Sequence, residues 1–356
     1  MLTRLVSHDL PKSRWLALAL VLVVVALALT PFVFPGTKAL NVAAKVIVFI
    51  VLAASFDLLL GYTGIVSFAH TMFFGIGAYG VAIAATRIGP TWPALALGVA
   101  GALAVSLVLS LVIGLFSLRV RAIFFAMITL AVASAFATLA SQLSEFTGGE
   151  DGLTFKVPEA LRPATEYGSF LGVAFDGRLL AYYAIFVVAL VLVLALLRIV
   201  NSPFGRVLQA IRENDFRAEA IGYRTVVYRT LASVASALFA TLAGVLLAIW
   251  LRYNGPDTTL SFEIMLDVLL IVVIGGMGTI YGAVIGSVLL VLAQNYLQDL
   301  MKLAAGAVQG VPVLAQIVSP DRWLLWLGIL FVLSVYYFPA GVVGRLRSRG
   351  AGPRRV

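Results

Sequence analysis

The 356-residue chain is 62% hydrophobic and 12% charged, with a mean hydropathy of +1.06. So little polar surface cannot cover that much apolar side chain in water, which excludes an ordinary soluble domain and makes a polytopic membrane protein the default. The formal charge of +9 gathers at segment ends, as positive-inside topology requires, so no nucleic-acid partner is expected, and the absence of cysteine excludes disulfides, thiolate metal sites and cysteine nucleophiles.

Ten apolar segments follow one another near residues 15–34, 40–60, 65–86, 92–115, 122–142, 180–199, 230–251, 262–277, 279–299 and 322–339. The first is preceded by Arg4, Lys12 and Arg14 and contains Ala26-Leu27-Ala28, as a signal peptide would. Its length suits a retained spanning helix, which is the expectation here. The connections at 62–64 and 278 are so short that broken or re-entrant segments are expected there. Arg119 and Arg121 lie between the fourth and fifth segments. The loop 143–179, with Thr147 to Gly152 reading TGGEDG, is too short for a substantial independent domain. Six arginines (198, 206, 212, 217, 224 and 229) flank or fill the gap 199–229, and Arg345, Arg347, Arg349, Arg354 and Arg355 fill a basic tail, 340–356. All four clusters fall on one side if ten spans alternate from an inside N-terminus. The expected fold is therefore an all-α, polytopic transmembrane helical bundle forming one domain over 1–356. Both termini would be cytoplasmic and 143–179 external, and an inverted five-plus-five repeat could be accommodated.

The stretch from Ser202 to Gly222 is the longest polar insert between apolar runs on the basic side. Ser202 then Pro203 is a helix start, a capping hydroxyl followed by a proline whose missing N–H costs nothing at the first helical position. Phe204, Val207, Leu208 and Ile211 recur at i, i+3, i+4, i+7 and make one apolar face, which a partner's groove could accept. Asn214 and Asp215 can cap a second short turn that Gly222 ends. An interfacial helix on anionic lipid fits the same pattern.

Gly61, Gly64, Gly75, Gly77 and Gly80 cluster around the second–third junction, and Gly275, Gly276, Gly278, Gly282 and Gly286 around the eighth–ninth. The spacing of 278, 282 and 286 is that of close helix packing. Gly61, Thr63, Gly64 and Ser67 combine helix breakers with small hydroxyls, so an unwound solute path shared with Gly275, Gly276 and Gly278 is one reading; a tight cytoplasmic turn is the other. Asp57 and Asp267 lie deep enough to be candidate functional groups, each able to bond a freed backbone N–H at its junction. Lys45 and Glu263, near segment ends, read as snorkelling or locally paired. His70 reads as a hydrogen-bonded core histidine, and Gln294 and Asn295 as interhelical hydrogen-bonders.

Three stretches together carry a resemblance. Ala210-Ile211-Arg212-Glu213-Asn214 with Ala218-Glu219-Ala220-Ile221-Gly222 is similar to the coupling segment of the branched-chain amino acid (LivM-type) permease family of ABC importers. Leu58 to Gly64, then Ser67-Phe68-Ala69-His70 and Phe74 to Tyr79, resembles its N-terminal signature. Val273 to Thr279 with Gly282 and Gly286 resembles its C-terminal one, and Ser319 to Trp323 also fits. Arg217 departs from the small or apolar residue common there. The resemblance implies a homologous second permease, two cytoplasmic ATP-binding subunits, an external solute-binding protein and a bacterial inner-membrane location. It implies ATPase coupling through Arg206, Ile211, Arg212, Glu213, Asn214, Ala218, Glu219 and Gly222, and no cofactor.

No GxxxxGK[ST] loop, HExxH or GxSxG motif occurs, so the chain is expected to be a transporter subunit rather than an ATPase or hydrolase. The substrate class implied is branched-chain or related amino acids. A urea or short-amide importer is the alternative within the family, and an ion-coupled carrier using Asp57 or Asp267 is the alternative outside it.

Overall fold

The computed structural model describes residues 13–34, 36–117, 122–170, 173–307, 319–338 and 341–348. Arg4, His8, Lys12, Arg119, Arg121, Arg349, Arg354 and Arg355 lie outside the described residues. In hydrocarbon every backbone N–H and C=O must pair internally, so apolar runs this long become helices. They are α1 (Arg14–Val33), α2 (Thr37–Thr63), α3 (His70–Arg87), α4 (Trp92–Ser117), α5 (Ala122–Gln142) and α6 (Gly177–Asn201). After the insert, with α7 (Pro203–Glu213) and α8 (Asp215–Ala220), come α9 (Thr225–Leu251), α10 (Phe262–Gly275), α11 (Ile280–Ala307), α12 (Trp323–Tyr337) and α13 (Gly341–Ser348).

Among the described residues nine segments are long and apolar enough to cross a membrane. The tenth expected one is α3, whose glycines, His70 and Arg87 dilute its hydropathy. It needs no apolar coat, because 14 of its 18 residues are buried by other helices. At about 27 Å it still runs the length of the bundle. The centre is α2, α3 and α9; α1, α4, α5 and α12 surround it and expose leucine and valine, as lipid-facing helices do.

Two details show how closely these helices meet. Gly77 on α3 abuts the Thr241 carbonyl and Gly244 on α9 abuts the Phe74 carbonyl, leaving no room for a Cβ on either. Pro31 in α1 removes the N–H that would bond the Leu27 carbonyl. The Tyr182 hydroxyl of α6 donates to that oxygen at 2.5 Å, and Tyr183 donates to Ala28 beside it at 2.8 Å.

The 143–179 loop has structure of its own but no domain. Strand β1 (Leu153–Thr154) pairs antiparallel with β4 (Tyr253–Asn254), and β2 (Glu166–Phe170) with β3 (Val173–Asp176). This cap lies at the opposite end of α6 from the insert. Part of the expected basic tail also folds back: in α13, Val343 is buried with Leu16 and Ile285, and Gly341 packs on Gly276.

Candidate functional site

The insert forms the two short helices expected of it. Ser202 Oγ accepts from the Gly205 N–H at 3.4 Å with Pro203 at the first position, and Asn214 Oδ1 accepts from the Arg217 N–H at 2.9 Å to open α8. The apolar face of α7 is not free, however. Leu208 and Ile211 are fully buried against the bundle, and Phe204 stacks on Tyr228 of α9 at 5.8 Å. The expectation of an open apolar face for a partner's groove therefore fails, because α2, α6 and α9 already fill that role. Arg206, Glu213 and Asn214 are exposed; Ala218 is buried, and Glu219 Oε1 accepts from Thr225 Oγ1 at 2.6 Å, fastening α8 to the start of α9. Asp215 and Arg229 form an ion pair at 2.9 Å that fastens the same corner. Gly222 has φ +97° and open space where a Cβ would stand, so its glycine answers a backbone need rather than a packing one.

What remains for a partner includes two residues that pattern reading passed over. Phe216 is 86% exposed and Ile221 68%. The signal was in the sequence: a lone aromatic between Asp215 and Arg217, on the polar turn of an insert, has no core to join.

Arg212 links the insert to both glycine-rich junctions. Its Nη1 donates to the Gly61 carbonyl in the last turn of α2, one of the orphan acceptors that every helix end leaves. A cation there also suits the α2 dipole. To reach it the side chain crosses Gly64, where a Cβ would stand 3.2 Å from Arg212 Cγ, and passes Gly278, where a Cβ would stand 3.0 Å from Nη1. Gly64 and Gly278 both have left-handed backbones, φ +73° and +79°. Asp57, fully buried one turn before Gly61, accepts from the Gly278 N–H at 2.8 Å. That carboxylate thus sits just ahead of the N-terminus of α11, where negative charge is favoured. The expectation that Asp57 bonds a freed N–H holds, although the N–H belongs to the other junction. Gly61, Asp57, Gly278, Gly64 and Arg212 form one cluster at the insert end of the bundle.

The other candidate residues fall elsewhere. Thr63 turns its hydroxyl back to the Leu59 carbonyl at 2.6 Å, and Ser67 Oγ accepts from the Ala69 N–H at 3.4 Å; both are buried. Gly275 and Gly286 meet the Gly282 and Ile271 carbonyls and join α10 to α11. Gly278 precedes the helix rather than continuing the 282–286 stripe, and Gly75, Gly77 and Gly80 lie inside α3. Asp267 bonds no backbone; its Oδ1 accepts from Gln294 Nε2 at 2.7 Å, an interhelical bond as expected for Gln294. Asn295 instead donates to Val291 within its own helix at 2.8 Å. His70 is a core histidine, its Nε2 at 3.2 Å from both Ser55 Oγ and Ser236 Oγ.

The family described as branched-chain amino acid transport system / permease component matches residues 38–335. Curated relatives agree. The high-affinity branched-chain amino acid transport system permease protein LivM of Salmonella typhimurium is 28% identical over 329 residues, 88% of this chain and 75% of the relative. Its Escherichia coli counterpart is 28% identical over 319 residues, 85% and 73%. A probable branched-chain amino acid transport permease protein LivM of Methanocaldococcus jannaschii is 28% identical over 177 residues, 49% of each chain. No solved structure matches.

Proposed function

The chain belongs to the branched-chain amino acid transport permease family, and from that membership we propose that it is the membrane permease of an ATP-driven ABC importer for branched-chain or related amino acids. It works with a homologous second permease, two cytoplasmic ATP-binding subunits and an external solute-binding protein in a bacterial inner membrane. Both termini and the insert face the cytoplasm; residues 143–179 face outside, where the binding protein docks. ATP is bound and hydrolysed by the partners.

The single observation that carries the reading is the Arg212 cluster. A chain driven by another protein's ATPase needs a surface that protein can push and a mechanical link from that surface to the helices that move. Residues 202–222 supply the surface, with Phe216 and Ile221 as apolar anchors and Arg206, Glu213 and Glu219 fixing register by charge. Arg212 supplies the link, joining the insert to the end of α2 and, through Gly61, Gly278 and Asp57, to the α10–α11 junction. In this reading Gly61, Thr63, Gly64, Ser67, Gly275, Gly276 and Gly278 make the inner end of the solute path, opened when Arg212 moves.

Reconstitution with the partner subunits tests the proposal. Vesicles holding ATP should accumulate leucine, isoleucine or valine without an ion gradient and only with loaded binding protein. Uptake driven by a proton or sodium gradient without ATPase subunits would refute it. ATP-driven uptake of urea or acetamide but not leucine would replace the substrate class.

A further inference from the structure

At the end of the bundle opposite the insert, a cavity of about 720 Å³ opens between α2, the end of α9, the start of α10 and α11. That volume lies in the range of small-molecule sites. Its lining carries both signs of charge on different helices. Lys45 comes from α2, while Glu263 and Asp267 come from one face of α10, four residues apart. Phe49, Leu247 and Ile264 supply apolar wall. Counting from Thr37, Lys45 lies about 12 Å along α2 from its outer end, well into a spanning segment where ionised groups are expensive.

None of Lys45, Glu263 and Asp267 is in an ion pair within 4 Å, although Lys45 and Asp267 are near enough to feel one another's charge. Among the described residues the ion pairs are Lys38–Asp299, Lys302–Asp299 and Arg229–Asp215. Lys45 Nζ stands over the Phe49 ring, 5.3 Å from its centroid, a weaker arrangement that an anion can displace. Gln294 holds Asp267 in place through Oδ1, and a carboxylate can accept several more bonds. Lys38, engaged with Asp299, and Asp257 line the cavity as well. Lys45 facing the α10 carboxylates around one cavity, beside an apolar wall, matches a molecule carrying both charges and an apolar group.

We infer that this cavity binds the transported solute as a free zwitterionic amino acid. Its carboxylate faces Lys45, its ammonium faces Glu263 and Asp267, and its branched side chain lies on Phe49, Leu247 and Ile264. The inference rests on the transport function proposed above and adds the place where the permease itself holds the solute. A neutral amide leaves Lys45, Glu263 and Asp267 without an opposite charge, and a simple amine or carboxylate satisfies one wall only, so the site discriminates by the charges it would leave uncompensated.

The cysteine-free chain allows a direct test in the assembled transporter, reconstituted in phosphatidylglycerol vesicles so that no zwitterionic headgroup competes. Ile264→Cys and, independently, Leu247→Cys are labelled with an impermeant thiol reagent. Millimolar leucine should slow labelling of both, while 4-methylpentanoate and 3-methylbutylamine, each lacking one charge, should not. Lys45→Gln or Asp267→Asn should raise the leucine concentration for half-protection roughly ten- to a hundredfold, as loss of one charged hydrogen bond implies. Lys302→Gln, outside the cavity, should leave it unchanged. Unprotected labelling, equal protection by the two half-molecules, protection by phosphatidylethanolamine alone, or cysteines sealed off in the complex would each overturn the site in a transporter that still imports leucine. A complex that assembles but does not import leucine would remove the transport reading itself.

Discussion

Replacing Gly61 by alanine adds a single methyl group at the most crowded point of the Arg212 cluster. The new Cβ would overlap Asp57 Oδ1 and the Gly278 backbone N and Cα. Rotation of a side chain cannot relieve the overlap with backbone, so the α10–α11 junction must move away from α2. That movement breaks the Asp57–Gly278 hydrogen bond and leaves buried polar groups unsatisfied, which costs about 1–3 kcal/mol. Displacing a packed junction costs about 1–3 kcal/mol more, while alanine in a helix gains about 1 kcal/mol over glycine. The net destabilisation is then about 1–5 kcal/mol. Gly101 on α4 is the matched control, because nothing lies within 4 Å of its Cβ position. Gly101→Ala should be stabilising by about 0.5–1 kcal/mol. Denaturant unfolding in mixed micelles reads both changes, and ATP hydrolysed per solute imported reads the functional one. Gly61→Ala with parental stability and parental coupling would refute the clamp.

Arg212→Gln keeps polarity but loses the reach to the Gly61 carbonyl; it should raise the ratio of ATP hydrolysed to leucine imported several-fold while the complex still co-purifies. Phe216→Ala should weaken capture of the ATP-binding subunits roughly thirtyfold, the mark of an interface anchor worth about 2 kcal/mol, and leave unfolding of the isolated chain within about 0.5 kcal/mol, as exposed sites do. Single cysteines placed between 147 and 152 should be labelled by an impermeant thiol reagent on intact cells, and those between 202 and 222 only after permeabilisation; the reverse pattern would invert the topology. Glu213→Lys, on an exposed residue, should reduce ATPase capture, whereas unchanged capture with tighter binding to anionic vesicles would make the insert a lipid-surface element.

Hydropathy made the helices legible because each apolar run is long enough to leave the backbone no alternative. Even α3 was found, although its start was misplaced. The break expected from Gly61, Thr63, Gly64 and Ser67 is there, but the apolar Ile65, Val66, Phe68 and Ala69 hid how far it runs, to residue 69. Ser202, Pro203 and Asn214 announced their caps because capping is local. Leu208 and Ile211 showed which face of α7 is apolar but not what covers it, since amphipathicity does not name a partner. The Arg212 cluster joins residues 151 and 221 positions apart in sequence, and no local pattern connects them. Lys45 and Glu263 read as end-of-segment charges for the same reason. Only the placement of α2 beside α10 turns them into opposite walls of one cavity.

The Gly77–Thr241 and Gly244–Phe74 approaches join α3 to α9 with no side chain between the backbones. Such a seam has no rotamers to exchange, and sliding it by one residue would drive Ala78 or Val245 into a carbonyl. α3 and α9 are therefore keyed into a single register and travel as one rigid body. The α10–α11 hairpin is keyed in the same way by Gly275 and Gly286. Helix α2 runs between these two bodies and is fastened to the hairpin at both ends, by the Asp57–Gly278 bond beside the insert and by the Lys38–Asp299 ion pair at the far end. In the proposed transport cycle, any shift of the hairpin against the α3–α9 body at the insert end has to break the first of these, the latch within reach of Arg212.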